Sequence, residues 1–227
     1  MWLNDEAILT WGVTAVLLLI AVILLRPALR HRLQRRREDR LINSLGVDQI
    51  RNVMIDDGMD GNVMLERLLL TPEGMLVLMT LRREGNLFGG DRIDTWVQVR
   101  GKRTIRFPNP FYTLETLLAA VRYHAPGITV QSRVLFLGNC VFPKGKPEGA
   151  WTMADVPEHA GKTVTAGVLP VMQQKWDALK AHATPINPKT QAHLLPAPDG
   201  CCRARIALST ILIIATGAWL AWRLLEL

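Results

Sequence analysis

The chain has 227 residues and a net charge of +7, and 49% of its residues are hydrophobic. Once strongly apolar flanking segments are set aside, that length leaves one domain of ordinary size with a proper core. Its three cysteines, Cys140 alone and Cys201 beside Cys202, form no CxxC pair and stand with no histidine cluster. This argues against a disulfide framework and against a zinc motif.

In chain order, a short segment (1–7) precedes an uncharged run over 8–25, "ILTWGVTAVLLLIAVILL". The run is close to the ~20 residues that cross a bilayer as a helix. A signal peptide is the rival reading, but the basic residues follow the apolar run instead of preceding it, and no small-residue cleavage site follows. Next comes "RPALRHRLQRRREDR" (26–40), with seven arginines against Glu38 and Asp39. It reads as a basic juxtamembrane helix. Arg30, Arg32, Arg35, Arg36 and Arg37 are its candidate contacts for lipid headgroups or another polyanion.

A second uncharged run, "IALSTILIIATGAWLAW", begins at Ile206 and gives an expected second membrane helix over 206–225. Trp2, Trp11, Trp219 and Trp222 lie near the run ends, where interfacial aromatics sit. Arg203 and Arg205 precede the second run, whereas Asp5 and Glu6 precede the first. The positive-inside rule then predicts a two-pass protein of a bacterial-type inner (plasma) membrane. Its central domain would be cytoplasmic and both termini on the opposite side. Most of the net charge belongs to 26–40, so the basic balance signals membrane orientation and anionic lipid, not a nucleic-acid footprint on the domain.

Between these runs, helical spacing of Leu41, Ile42 and Leu45 continues a helix that Gly46 stops. "IRNVMI" (50–55) and "VMLERLLL" (63–70) read as strands on either side of the turn "DDGMDGN". "TPEG" is a turn leading to "MLVLMTL", a strand apolar at nearly every position and so expected to be covered on both faces. A glycine-rich loop, "EGNLFGG", follows. "DTWVQVR" and "RTIRF" flank "GK" as a hairpin. "NPFYTLETLLAAVRYH" is a helix with Asn109 as its cap and Pro110 at its first position. "SRVLFLGNCVF" is a further buried strand, and 168–183 a last helix. The Pro-rich 184–205 reads as a linker. "EHAGKT" has the Gly-Lys-Thr ending of a P-loop, but Val156 stands where the first glycine is required. The order of elements predicts one mixed α/β sheet with helices against it.

This order and punctuation resemble the NERD family, the nuclease-related domains of the restriction-endonuclease-like fold. The resemblance covers 38–183 and is carried by strand, "TPEG", strand, "EGNLFGG", Trp96, and then Asn109-Pro110 opening a helix. It implies a PD-(D/E)xK site, in which carboxylates hold Mg²⁺ and a lysine stabilises charge at the attacked phosphate. Laid on this chain, the site's acidic position on the preceding strand falls on Glu66. The Glu and Lys of Glu-x-Lys fall on Met79 and Leu81, and the helix-start Gln on Thr113. A thioether and an aliphatic side chain do not bind Mg²⁺.

The resemblance therefore implies a degenerate, membrane-anchored nuclease-related domain. Catalysis would be lost, no cofactor bound and no metal held. Its role would be binding or scaffolding of a protein partner or nucleic acid, or self-association. Two alternatives stand beside it. One is an active Mg²⁺-dependent nuclease whose ligands have migrated to Glu73, Glu84, Asp91 or Asp94, with Arg82 or Arg83 as the cation. The other is a structural subunit of a membrane assembly.

Overall fold

The computed structural model describes residues 2–163 and 167–186, with a few residues between 207 and 219. The chain divides into two compact units, 1–37 with 196–227, and 38–195.

The first unit contains most of α1 (Trp2–Asn43), a helix of 42 residues with Pro27 inside it. Leu19, Val22 and Ile23 are more than half exposed along it, while Ala21 and Ala28 are buried. Among the described residues, no helix is long and apolar enough to cross a membrane. This corrects the expectation of transmembrane helices over 8–25 and 206–225, and with it the two-pass inner-membrane localisation with a cytoplasmic centre. The uncharged run 8–25 is not a helix of its own. It is built into α1, whose second half carries the arginines from Arg26 onward. Most of 206–225, and the expected linker beyond Ile186, lie outside the described residues.

The second unit is mixed α/β and is built on two sheets, where the sequence predicts one. The larger has the order β10-β1-β2-β3-β7-β9. It comprises β1 (Asp48–Asp56), β2 (Asn62–Thr71), β3 (Gly74–Arg82), β7 (Val130–Leu137), β9 (Ala150–Thr152) and β10 (Thr184–Pro185). The smaller has the order β6-β5-β4-β8, from β4 (Gly85–Phe88), β5 (Thr95–Arg100), β6 (Arg103–Pro108) and β8 (Cys140–Val141). The stretch "GNLF", expected as loop, is therefore a strand. Among the described residues the unit also holds the end of α1 and the helices α2 (Pro110–His124), α3 (Val156–Thr163) and α4 (Pro170–His182).

β1, β2 and β3 form an antiparallel meander, and β7 then adds parallel to β3. A parallel neighbour needs a long crossover, which α2 lies within. Both faces of β3 are covered, as its unbroken apolar sequence predicts. Leu76 and Leu78 pack with Ile42, Leu45, Leu135, Val156 and Ala160. Met75 and Val77 join the main core with Leu114, Leu117 and Val121 of α2 and Met172, Trp176 and Leu179 of α4.

Two glycines mark close approaches. Gly74 opens β3 with φ +144, and a Cβ there would lie 2.1 Å from the Thr129 carbonyl oxygen. Gly89 lies against the Trp96 ring, which a Cβ would meet at 2.1 Å. Trp96 is fully buried and stacks on Phe136, with centroids 5.6 Å apart and planes 8° apart. Phe111 meets its edge at 5.7 Å. This joins the smaller sheet to β7 and α2 through one apolar cluster. Asn109 caps α2 by accepting from the Phe111 N–H at 2.9 Å, and its amide donates to the Asp91 carbonyl at 3.0 Å, so the helix start also fixes the loop after β4.

α4 is tied to the sheet through Asp48. The indole N–H of buried Trp176 donates to its Oδ2 at 2.9 Å, and the Lys180 ammonium pairs with the same oxygen. Burial alone would raise the Asp48 carboxyl, but the hydrogen bonds from Lys180 and Trp176 outweigh it and hold it below its ordinary 3.8. A folded-state value below the unfolded one gives stabilisation that is complete above the unfolded pKa and is lost as pH falls through the folded value. The stability gap between the wild type and Asp48→Asn is therefore expected to shrink on acidification from about pH 5 to pH 2. Denaturant titration across that range measures it. A gap independent of pH would contradict the role given to the Asp48 carboxylate.

Candidate functional site

The expected site positions lie where β2 and β3 part. Ile50, Val53 and Ile55 of β1 all face the main core, as do Leu65, Leu68 and Leu70 of β2. A spacing of three, in strands whose side chains alternate with period two, means that each strand skips one position. The skip falls at Asn52, whose φ is +49, and at its opposite number Glu66; the pairing keeps its register on either side, Arg51 with Arg67 and Val53 with Leu65.

This skip decides what Glu66 does. The β2–β3 ladder runs from Thr71–Gly74 to Arg67–Leu78 and stops there. On β3 the odd-numbered amides serve the other side: Met75 N–H donates to the Thr129 carbonyl and Arg83 N–H to the Leu137 carbonyl, both around β7. Thr80, an even-numbered residue, directs its N–H towards β2, where the ladder has ended. Glu66 supplies the missing acceptor with its side chain. Its Oε2 accepts from Thr80 N–H at 2.8 Å, and its Oε1 accepts from the Thr80 hydroxyl. A strand-interior amide must find a partner, so the carboxylate here substitutes for a backbone carbonyl.

Met79 and Leu81 flank Thr80 and are partly buried against the main core. By alternation their side chains leave β3 on the face opposite that of Thr80. Thr113 lies in the first turn of α2 and is exposed; among the described residues no hydrogen bond joins it to the other three positions. The structure thus brings Glu66, Met79 and Leu81 onto adjacent strands, but it commits the one carboxylate to Thr80.

The other acids and cations of the region are engaged or dispersed. Glu84 pairs with Arg100 at 2.8 Å, and Asp94 accepts from the Tyr112 hydroxyl at 2.7 Å. Glu73 lies exposed in the β2–β3 turn, and Asp91 is exposed after β4. The Arg83 guanidinium sits 4.6 Å from the centroid of the Phe107 ring. Among the described residues, no group of three or more His, Cys, Asp or Glu side chains is placed to hold a metal ion. Cys140 is a free thiol that burial pushes above its usual range, the behaviour of an inert side chain.

The sequence reading missed an ionic cluster at the end of α1. Buried Glu38 pairs with Arg82 at 2.5 Å. Asp39 pairs with buried Arg67 at 2.8 Å, and Arg67 also donates to Asn43 at 3.0 Å. In the sequence Glu38 and Asp39 stand as two acids at the end of a basic run. The available signal was Arg67 and Arg82 themselves, since charges in otherwise apolar strands require buried partners. On the first unit, Arg30, Arg32, Arg35, Arg36 and Arg37 are all exposed on α1. At about 100° per residue they point around the helix and do not form one stripe.

The hairpin β5–β6 is a strongly basic part of the second unit. It bears Arg100, Lys102, Arg103 and Arg106, and the sequence holds no acid from Thr95 to Leu114. Arg100 and Arg103 are directly opposed, and β6 is an edge strand, exposed over most of its length. Like charges facing across strands are unfavourable, and among the described residues Arg100 alone of the four has an acidic partner, Glu84.

No protein family, no curated protein and no solved structure matches this chain.

If Glu66 replaces a ladder acceptor, then Glu66→Ala leaves Thr80 N–H and its hydroxyl unpaired. The expected cost is about 1–3 kcal/mol. Glu66→Gln keeps an acceptor and is expected to recover part of it. Equilibrium unfolding of the two variants measures this. Equal, negligible effects would show that the carboxylate has no structural task.

Proposed function

We propose that residues 38–195 form a non-catalytic binding or scaffolding module of nuclease-related design. One observation carries this reading. The positions where a nuclease would gather its metal and lysine hold Met79 and Leu81, packed against the core, and a glutamate already occupied by Thr80. Reassembling a Mg²⁺ site there would mean exposing core side chains and abandoning a strand amide, and of the nearby acids Glu84 and Asp94 have other partners. The alternative of a membrane-assembly subunit rested on the two membrane helices and is not carried further.

The β5–β6 hairpin supports a polyanionic partner, either nucleic acid or an acidic protein surface. Its unpaired cations on an exposed edge are an electrostatic footprint of the kind that contacts phosphates or carboxylates without reading sequence.

Two measurements on the full chain test this reading. Incubation with single- and double-stranded DNA and RNA in Mg²⁺ or Mn²⁺ is expected to give no cleavage; cleavage that Glu66→Ala abolishes would overturn the assignment. Binding to the same nucleic acids is then followed against salt. If the hairpin contacts phosphates, Arg103→Gln with Arg106→Gln lowers the salt slope by about 2, roughly one for each contact removed. If nucleic acid is not retained, the same double variant is expected to release a co-purifying acidic protein. An unchanged set of partners would exclude the hairpin.

A further inference from the structure

At the start of β3, against the smaller core cluster, lies a cavity of about 260 Å³. It sits at the other end of the strand from Met79 and Leu81, roughly 15 Å away at about 3.3 Å per residue. Arg133, Trp151 and His159 line it, with Gln131 and Glu73, both exposed.

Trp151 links the other two side chains. The Arg133 guanidinium is 5.5 Å from the Trp151 ring centroid, and Trp151 stacks on His159 with centroids 4.1 Å and planes 9° apart. Arg133 Nη1 donates to the Ser132 carbonyl at 2.8 Å, while its Nε is buried without an acceptor. Among the described residues, no carboxylate lies within 4.0 Å of this half-buried guanidinium, in contrast to Arg67 and Arg82. A guanidinium has five N–H donors and no acceptor, so a partly desolvated one without a counter-ion is short of partners.

We propose that this cavity binds a small oxoanion-bearing molecule, a carboxylate or a phosphate, on the Arg133 guanidinium. The planar fork of an arginine matches the paired oxygens of either group. The Trp151 ring and the Ser132 carbonyl restrain the fork before the ligand arrives, which reduces the ordering cost of binding. The volume is below that of pockets for drug-sized ligands, so the molecule is small. Glu73 sits at the same opening and weakens the attraction, which disfavours highly charged ligands.

The test is an NMR titration of the full chain that follows the Trp151 indole N–H. Inorganic phosphate and acetate are the probes, with sodium chloride at matched ionic strength as the control. A saturable shift with phosphate alone, acetate alone, or both supports the site and identifies the group it takes. Arg133→Gln is expected to weaken binding at least about tenfold, as loss of a charge-assisted bond does. Glu73→Gln is expected to strengthen it roughly two- to fivefold, the size of one exposed charge interaction. No saturable response beyond chloride, or a response unchanged in Arg133→Gln, would overturn the proposal. If Arg133→Gln does not fold, Glu73→Gln decides, and unchanged or weaker binding in that variant overturns it.

Discussion

The second unit depends on the covering of β3 from both sides. α2 and α4 pack on one face of the sheet, and the end of α1 with α3 packs on the other. A strand in that position excludes uncompensated charge, because an ion taken from water into such surroundings loses several kcal/mol of solvation that only a partner restores. β3 therefore stays apolar until Thr80 and reaches its first charge at Arg82, which has its partner in Glu38. A Glu-x-Lys pair at 79 and 81 would have to open the main core to reach a substrate. Met79 and Leu81 close it instead.

The skip at Asn52 and Glu66 is what reconciles this covered strand with its neighbours. It keeps Ile50, Val53, Leu65 and Leu68 on one core face while the β1–β2 register runs on. Its consequence is a β3 amide without a backbone acceptor, and Glu66 fills that place. Glu66 is thus required by the sheet itself. The binding role proposed for the unit follows from this division. Glu66, Met79 and Leu81 are committed to the sheet and its core, while the β5–β6 hairpin carries its cations on an exposed edge.

Local signals were legible in the sequence. Asn109-Pro110 opening α2, the continuous apolar run of β3 and the "GK" turn of the hairpin each depend on residues close together in the chain. What was not legible depended on pairing between distant segments. "GNLF" became a strand because β5 and β8 flank it, so a second sheet arose where one had been expected. "VPEHAGKT" forms α3, and its Val156 and Ala160 cover one face of the larger sheet. The run 8–25 has the length of a span in isolation, whereas it continues into an arginine-bearing helix. The acids Glu38 and Asp39 were weighed as charge and not as partners, because their partners are strand arginines that follow much later in the sequence. The spacing of residues along the chain gives no sign of the skip that turns Glu66 to Thr80, because it depends on how β1 and β2 pair.

Amide hydrogen exchange at Thr80, measured with and without Mg²⁺, tests this assignment most directly. If Glu66 serves as the acceptor that β2 lacks, the Thr80 amide is protected like its neighbours in β3, and Mg²⁺ leaves its exchange rate and resonance unchanged. A Thr80 amide that exchanges like one in open solvent, or whose protection collapses as Mg²⁺ shifts the Glu66 carboxylate, would show that Glu66 is available as a metal ligand and would contradict the account.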